Sequence, residues 1–398
     1  MRVSTAGAYQ RGLSLMQHIQ SALDRTQQQI SSGRRILNPS DDPIAASRSL
    51  EINEAISRLT QFDRNGVMAQ NRLRHEEAAL GDMNNVLQRV RELALQANNA
   101  TQSDESRALI AVEMRQHLGQ LVQLANQQDG NGRYLFSGNM DDTQPVTRSG
   151  SSYTYNGDQG QRLIQIAESR QVPDGDPGSD LFFRIKNGNG VFAVSPDAAN
   201  TGTGISASGS LQDPTQYDKD QYTIRFIDST NYEVLDSAAT VIAADTFTSG
   251  DTIAFRGIEF SLNGAPAAGD EFDVSPSQFE DVFATISNLA DAVDGTISND
   301  ASRAAVTNAI NAGILNIDQA IGNSLEIRTQ VGSRLAAIED QENSNGAIAL
   351  NLQASLAEIQ DLDYAEAIST LSQQMTVLEA AQQTFVRTQS LSLFNYLR

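Results

Sequence analysis

The chain has no cysteine in its 398 residues. Disulfides, thiolate metal sites and a cysteine nucleophile are therefore excluded. No apolar run approaches the roughly 20 residues that span a bilayer. Met1 to Leu15 holds Arg2 and Arg11 but no apolar stretch of the kind a cleaved secretory signal needs. If the protein leaves the cell, it is expected to use a route that reads no such signal. Positive charge is scarce, with 28 Lys+Arg against 49 Asp+Glu and a net charge of −21. Nucleic acid and anionic membranes recruit clustered Lys and Arg, so neither is expected as a partner. The 3 histidines, His18, His75 and His117, fall in separate predicted helices. None has a neighbour at ligand or triad spacing, so no metal centre and no cofactor are expected.

Glycine and proline are sparse at both ends and concentrated in the middle. Residues 1–140 and 277–398 read as long helices, and residues 141–276 alternate like strands. The pattern predicts an α+β protein: a long antiparallel, coiled-coil-like helical rod made by the N- and C-terminal segments, with a central, mainly β head inserted between them. The expected domains are 1–140 and 277–398 as the two halves of the rod and 141–276 as the β-rich portion, its outward head at about 181–275. Charge follows the same division. Net charge is +1 over 1–140, −12 over 141–275 and −10 over 276–398. The acid falls where it would keep a secreted surface soluble.

Within the ends, Met16, Ile19, Leu23, Thr26 and Ile30 recur at spacings of three and four, giving one narrow seam on a helix from about Gly7 to Ser32. Gly33 then suits that helix's C-cap, within the stretch Ser31, Ser32, Gly33 and on to Pro43. Asp41 and Asp42 precede Pro43, which suits the first turn of a second helix reaching about Asn98. Gly66 and Gly81 weaken that helix locally. Ser103 starts a third. Helical spacing returns at Phe279 and runs to the C-terminal end; Asp363 with Glu366 either restarts a helix or sits within one. Between Tyr134 and Ser275, strands are predicted at Tyr134–Phe136, Tyr153–Tyr155, Leu163–Ile166, Leu181–Ile185, Tyr222–Ile227, Tyr232–Leu235, Thr252–Phe255 and Ile258–Leu262. Asn187–Gly190 reads as a hairpin turn and Thr201–Gly209 as a mobile loop.

A search for catalytic chemistry finds none. Asn187–Gly190 lacks the Gly-Lys-Ser/Thr ending of a phosphate loop. Asp174 to Asp180 resembles a calcium loop, but Ile185 stands where a bidentate Glu is required, leaving at most a looser cation site. Glu76 and Glu77 are adjacent on a helix and point apart, which makes them a poor acid–base pair. No enzymatic activity is expected.

The seams serve first as the core of a helical bundle. That role leaves the composition of the extreme ends unexplained. Ala365 to Arg398 has only Glu366, Glu379, Arg387 and Arg398 charged, and Tyr9 to Ile30 is similarly rich in Gln. A solitary surface helix normally carries more charge. Such helices suit packing against copies of themselves. Leu393, Phe394 and Leu397 have no later chain to cover them and are expected to make contacts between subunits. Such ends can be disordered in a free subunit and fold only on assembly.

Two blocks resemble the bacterial flagellin superfamily: QQQISSGRRILNPSDDPIAAS, Gln27 to Ser47, and DLDYAEAISTLSQQMTVLEAAQQTFVRTQSLSLFNYL, Asp361 to Leu397. Three further stretches favour its hook-associated branch over filament flagellin. They are GRYLFSG at Gly132 to Gly138, YNGDQGQRLIQIAES at Tyr155 to Ser169 followed by Pro177 and Gly178, and the LSLFNYL ending. The resemblance implies a structural adaptor at the hook–filament junction, self-associated into a ring through its terminal helices and exported unfolded by the flagellar type III apparatus. It implies as partners the other hook-associated junction protein on the hook side, flagellin on the filament side, and an export chaperone on the C-terminal helix. By position, Leu371, Met375, Leu378 and Phe385 would be the chaperone's target and later the seam between subunits. The alternatives are filament flagellin itself, or a secreted stalk whose β head binds a ligand.

Overall fold

The computed structural model describes residues 5–394, with side chains described at residue 7 and over 9–387. The first elements are α1 (Thr5–Ser32), α2 (Pro43–Ala97), α3 (Asp104–Ala125), β1 (Val146–Ser149), β2 (Ser152–Tyr155), β3 (Leu163–Ala167) and β4 (Arg170–Pro173). A π-helical turn at Ser179–Phe183 precedes β5 (Ile185–Lys186), β6 (Phe192–Pro196), β7 (Ile205–Ser206), β8 (Ser210–Leu211), β9 (Tyr222–Phe226) and β10 (Asn231–Leu235). The remainder is β11 (Val241–Thr246), β12 (Thr252–Phe255), β13 (Ile258–Asn263), β14 (Glu271–Pro276), β15 (Phe279–Glu280), α4 (Val282–Val293), α5 (Asp300–Gln360) and α6 (Tyr364–Phe394). The fold is α+β, with long helices from both terminal segments and a central β-rich portion.

The chain forms two compact units. One comprises the described parts of residues 1–64 and 341–398, and the other comprises 65–340. Helices α2 and α5 contribute to both. At 55 and 61 residues, they extend for roughly 80 and 90 Å at 1.5 Å per residue. Gly66 and Gly81 leave α2 unbroken.

The helix starts follow capping chemistry. Asp42 Oδ1 accepts the Ala45 N–H at 3.0 Å ahead of α2, and Ser103 Oγ accepts the Ser106 N–H at 3.2 Å ahead of α3. Near Phe279 the structure corrects the helical reading. Phe279 and Glu280 pair with β5 as strand β15, and helix begins only at Val282, where Asp281 accepts the Ala284 N–H at 2.6 Å. A single capping carboxylate decides that boundary, whereas apolar spacing places it three residues early.

In the 65–340 unit, Leu73, Leu80, Met83, Leu87 and Val90 of α2 are at most 1% exposed. Each contributes about 1.5–3 kcal/mol by leaving water. Buried Arg107 of α3 donates to the carbonyls of Val293 at 3.3 Å and Gly295 at 2.6 Å, closing the C-terminal end of α4. Beyond α3, the segment predicted as a strand at Tyr134–Phe136 has only an isolated bridge from Tyr134 to Gln128. Its backbone is bound by other means. The Tyr155 hydroxyl lies 3.0 Å from the Phe136 carbonyl and 2.7 Å from that of Asp158, and the Gly178 N–H donates to Phe136 O at 2.8 Å. Gly138 has φ +69°, and a Cβ there would overlap Asp158. The stretches Gly132–Gly138, Tyr155–Ser169 and Pro177–Gly178 are thus parts of one knot.

The predicted strand at Leu181–Ile185 is also corrected. Residues 179–183 wind into a π turn, closed by the Arg184 N–H on Ser179 O at 2.9 Å, and only Ile185 enters a strand. Phe182 packs edge-on against Phe136 and stacks on Phe283, both at 5.5 Å. Burying two rings in one direction wins over strand propensity here.

The head has a five-stranded sheet in the order β11-β10-β9-β14-β6 and a four-stranded sheet with path β12-β13-β7, to which β8 adds on β13. Alternation in β9 and β13 turns Tyr222, Ile224, Phe226, Ile258, Phe260 and Leu262 into one core with Phe272 and Val274. Thr201–Gly209 is not an open loop. The Asp270 carboxylate accepts the Thr201 N–H at 2.8 Å, Ile205–Ser206 forms β7, and buried Asn308 of α5 accepts the Ser206 N–H at 2.9 Å. Asn187–Gly190 does turn the chain, but the strands it joins, β5 and β6, pair with β15 and β14 rather than with each other.

A candidate assembly surface

The terminal unit is built from α1, the start of α2, the end of α5 and α6. Its first node is the turn after α1. Gly33 has φ +70°, a conformation that costs other residues a steric clash at Cβ. The chain then runs beside the break between α5 and α6. Arg35 N–H donates to Gln360 O at 2.8 Å, Leu362 N–H donates to Gly33 O at 3.0 Å, and Arg34 and Asp361 form an antiparallel bridge. The Arg35 guanidinium reaches the Ile359 carbonyl at 3.0 Å, so a cation meets the negative end of α5. A Cβ on Gly33 would lie 3.0 Å from the Tyr364 hydroxyl. Asp363 Oδ1 accepts the N–H groups of Ala365 at 2.9 Å and Glu366 at 3.2 Å. This resolves the choice left open by sequence: α6 is a new helix, with Asp363 at its cap.

The motif aspartates divide their work. Asp41 accepts from the N–H groups of Leu37 at 3.2 Å and Asn38 at 3.0 Å, and pairs with Arg25 at 2.9 Å. The Asn38 N–H leads the interactions that hold its carboxyl below the usual aspartate range. Asp42 caps α2, with Pro43 in the first turn. Ser32 Oγ lies 3.3 Å from Gln29 O, and Ser31 is exposed.

The second feature is the antiparallel pair α1–α6. Tyr9 and Phe385 pack with ring centroids 5.0 Å apart, and a Cβ on Gly12 would touch Phe385 at 3.3 Å. Met16, Ile19, Leu23, Ile30, Leu371, Leu378 and Phe385 are all half-buried, while Met375 is 53% exposed. The side chains of Leu393 and Phe394, and all of Leu397, lie outside the described residues. Among the described side chains of this unit, only Thr26, Ser49, Ile52, Asn345 and Ala367 are buried. Leu15, Leu50, Leu350, Ile368 and Val386 are between 55% and 70% exposed. A helical unit with one large buried hydrophobe and many exposed ones has apolar surface left to cover.

The acidic loop of the other unit has a different character. Asp174 pairs with Arg162 at 2.5 Å, and Asp176 pairs with Arg334 at 2.8 Å. Guanidinium groups fill the places a cation would take. Among the described residues no group of three or more His, Asp or Glu is arranged to hold a metal ion. His18 and His75 are exposed, and His117 Nδ1 lies 2.9 Å from Gln120 Oε1. Among the described residues no helix is long and apolar enough to cross a membrane.

Sequence reasoning paired the two terminal segments but missed which residues of the two motif blocks meet. Arg35, Asp361 and Tyr364 take part in that node, and periodicity marks none of them. The signal was indirect: a left-handed glycine and a capping aspartate, each at the end of a helix whose neighbour lay elsewhere in the chain.

Comparison with known proteins bears on this arrangement. The bacterial flagellin N-terminal helical region matches residues 3–141, and the bacterial flagellin C-terminal helical region matches 314–397. The D2-like domain of flagellar hook-associated protein 1 matches 195–276. Flagellar hook-associated protein 3 of Escherichia coli (strain K12) is 26% identical over 394 residues, covering 99% of each chain. The crystal structure of FlgL from Xanthomonas campestris is 33% identical, with a TM-score of 0.73, covering 77% of this chain and 99% of that one. That of the flagellar junction protein FlgL from Legionella pneumophila is 32% identical, with a TM-score of 0.73, covering 79% and 100%.

Proposed function

Since the chain belongs to the flagellar hook-associated protein 3 (FlgL) family, we propose that it is the adaptor joining the flagellar hook to the flagellin filament. The observation that carries this reading is the terminal unit, whose α1–α6 pair leaves Leu15, Ile368, Met375 and Val386 in solvent. Copies packed side by side into a ring would cover those side chains, and apolar area so removed from water drives association. Met16, Ile19, Leu23, Ile30, Leu371, Leu378 and Phe385 would form the seam within or between copies, and Leu393, Phe394 and Leu397 would add contacts between subunits. The other junction protein would cap one side of the ring and flagellin the other. The chain would travel unfolded through the flagellar type III apparatus, with a chaperone holding the segment around Leu371 to Phe385 until export. In this reading residues 1–140 and 277–398 are the assembling helical part, and 141–276 is a β-rich part turned outward.

Full-length similarity to a hook-associated protein and the hook-associated D2-like match at 195–276 favour this reading over filament flagellin. The test is deletion of the gene in its host. Cells with hooks but no filaments, shedding flagellin monomers into the medium, are the expected result. Intact filaments and normal swimming would reject it. Polymerisation of the purified chain into long filaments by itself would favour the flagellin reading.

A further inference from the structure

The 65–340 unit contains a buried charge cluster that assembly does not explain. On α2, Arg72 and Glu76 lie one turn apart, 8% and 1% exposed. Arg72 donates to the carbonyls of Tyr134 at 2.9 Å and Leu135 at 3.2 Å, and lies 3.6 Å from Asp129. Glu76 Oε1 accepts the backbone N–H of Asp176 at 3.1 Å, while its Oε2 is buried without a hydrogen-bond partner. The Asp176 carboxylate accepts two bonds from Arg334 of α5, at 2.8 and 3.0 Å, and one from Gln161 at 2.6 Å. Four pieces of chain, α2, α5 and two loops, are thereby held at one point.

The charges do not balance if all groups ionise. Arg72 and Arg334 face three carboxylates, Glu76, Asp129 and Asp176, and Arg162 is already engaged with Asp174 and Asp141. Asp176 has both oxygens on Arg334. Asp129 accepts the N–H groups of Arg133 and Asn131, which, against the opposing effect of burial, hold its carboxyl below the usual aspartate range. Glu76 is the member with an idle oxygen, no guanidinium bond and a second carboxylate as its neighbour. A buried anion without a guanidinium partner is costly, and a neutral acid at the same place costs much less.

We propose that Glu76 is held as a neutral carboxylic acid in the folded protein, and that its loss of a proton is the step that loosens the joint between α2, α5 and the loops of residues 127–141 and 158–178. Burial first, and the Asp176 carboxylate second, push the Glu76 carboxyl well above its ordinary range, against the pull of the Asp176 N–H, Arg334 and Arg72. The linkage follows in sign. The folded chain retains a proton that the unfolded chain gives up in the ordinary glutamate range. The stability that the protonated carboxyl contributes is complete below that range. It is lost as pH rises through the window up to the raised folded value.

The test compares thermal unfolding of the full chain and of Glu76→Gln as a function of pH, with carbon-13 NMR of the Glu76 carboxyl in the unaltered protein. The expected result is a melting temperature that falls with rising pH in the unaltered protein and falls less in Glu76→Gln, because the amide is neutral at every pH. The Glu76 resonance is expected to titrate above the ordinary glutamate range and to move down in Asp176→Asn, where the neighbouring charge is gone. Equal pH slopes in the two proteins would overturn the proposal. A Glu76 titration at the ordinary glutamate position would overturn it even if Glu76→Gln failed to fold.

Discussion

At the scale of single residues, the turn between α1 and α2 depends on Gly33. It combines a left-handed backbone with the Tyr364 hydroxyl 3.0 Å from where a Cβ would stand. Gly33→Ala is expected to cost about 1–2 kcal/mol from the backbone alone, and more from the crowded hydroxyl. The loss should be local, so the measurement is hydrogen exchange: the amides of Arg35 and Leu362, which bridge to the α5–α6 break, should exchange faster. Unchanged protection at both would show that the node does not depend on this glycine. Gly33 was legible as a helix cap because glycine relieves a local clash, which a local sequence can report. Its neighbour Tyr364 was not, since nothing in either segment states that they meet.

At the scale of elements, α1 and α6 form a half-exposed pair instead of a core. The ring contact of Tyr9 with Phe385 near one end and the bridge of Arg34 with Asp361 near the other set their antiparallel register. A double-mutant cycle of Tyr9→Ala and Phe385→Ala, read by far-UV circular dichroism against denaturant, should give a coupling of about 0.5–1.5 kcal/mol, as for other aromatic pairs. Additive effects would mean that the two rings merely lie close. Element type followed local signals in the long helices and in strands such as β9, β10, β12 and β13. It failed at Tyr134–Phe136, at Ser179–Phe183 and at Phe279, where backbone bonds to distant loops, burial of Phe182 and the cap at Asp281 outweighed the apolar pattern. The loop expected at Thr201–Gly209 became ordered for the same reason, because Asp270 and Asn308, both distant in sequence, bind its backbone.

At the scale of the whole molecule, the two units differ in how they are stabilised. The 65–340 unit has extensive apolar cores in its helical and β parts, whereas among described side chains the terminal unit buries Ile52 as its one large hydrophobe. Limited proteolysis of the free protein should therefore cut first within residues 5–64 and 341–387 and leave a resistant fragment close to 65–340. Opening free energy tracks buried contact, and cleavage follows opening. First cuts inside the β strands of the head, with the terminal unit spared, would refute this ordering.

Sequence by itself determined the class of each long segment. Helical and strand periods, capping residues and low charge density are local properties, readable wherever a run is long enough to repeat. It also excluded thiol chemistry, since an absent cysteine needs no structure to interpret. Tertiary structure alone decided that Gly33 meets Leu362, that Asp363 begins a helix, and that the acidic loop meets Arg334 and Arg162 instead of lying open to a cation. The Asp363 cap is local, and only the break before it shows that a new helix starts there. The Gly33, Arg162 and Arg334 contacts instead join residues 12 to more than 300 positions apart. Such contacts exist only after the chain has folded and brought the charges out of water together.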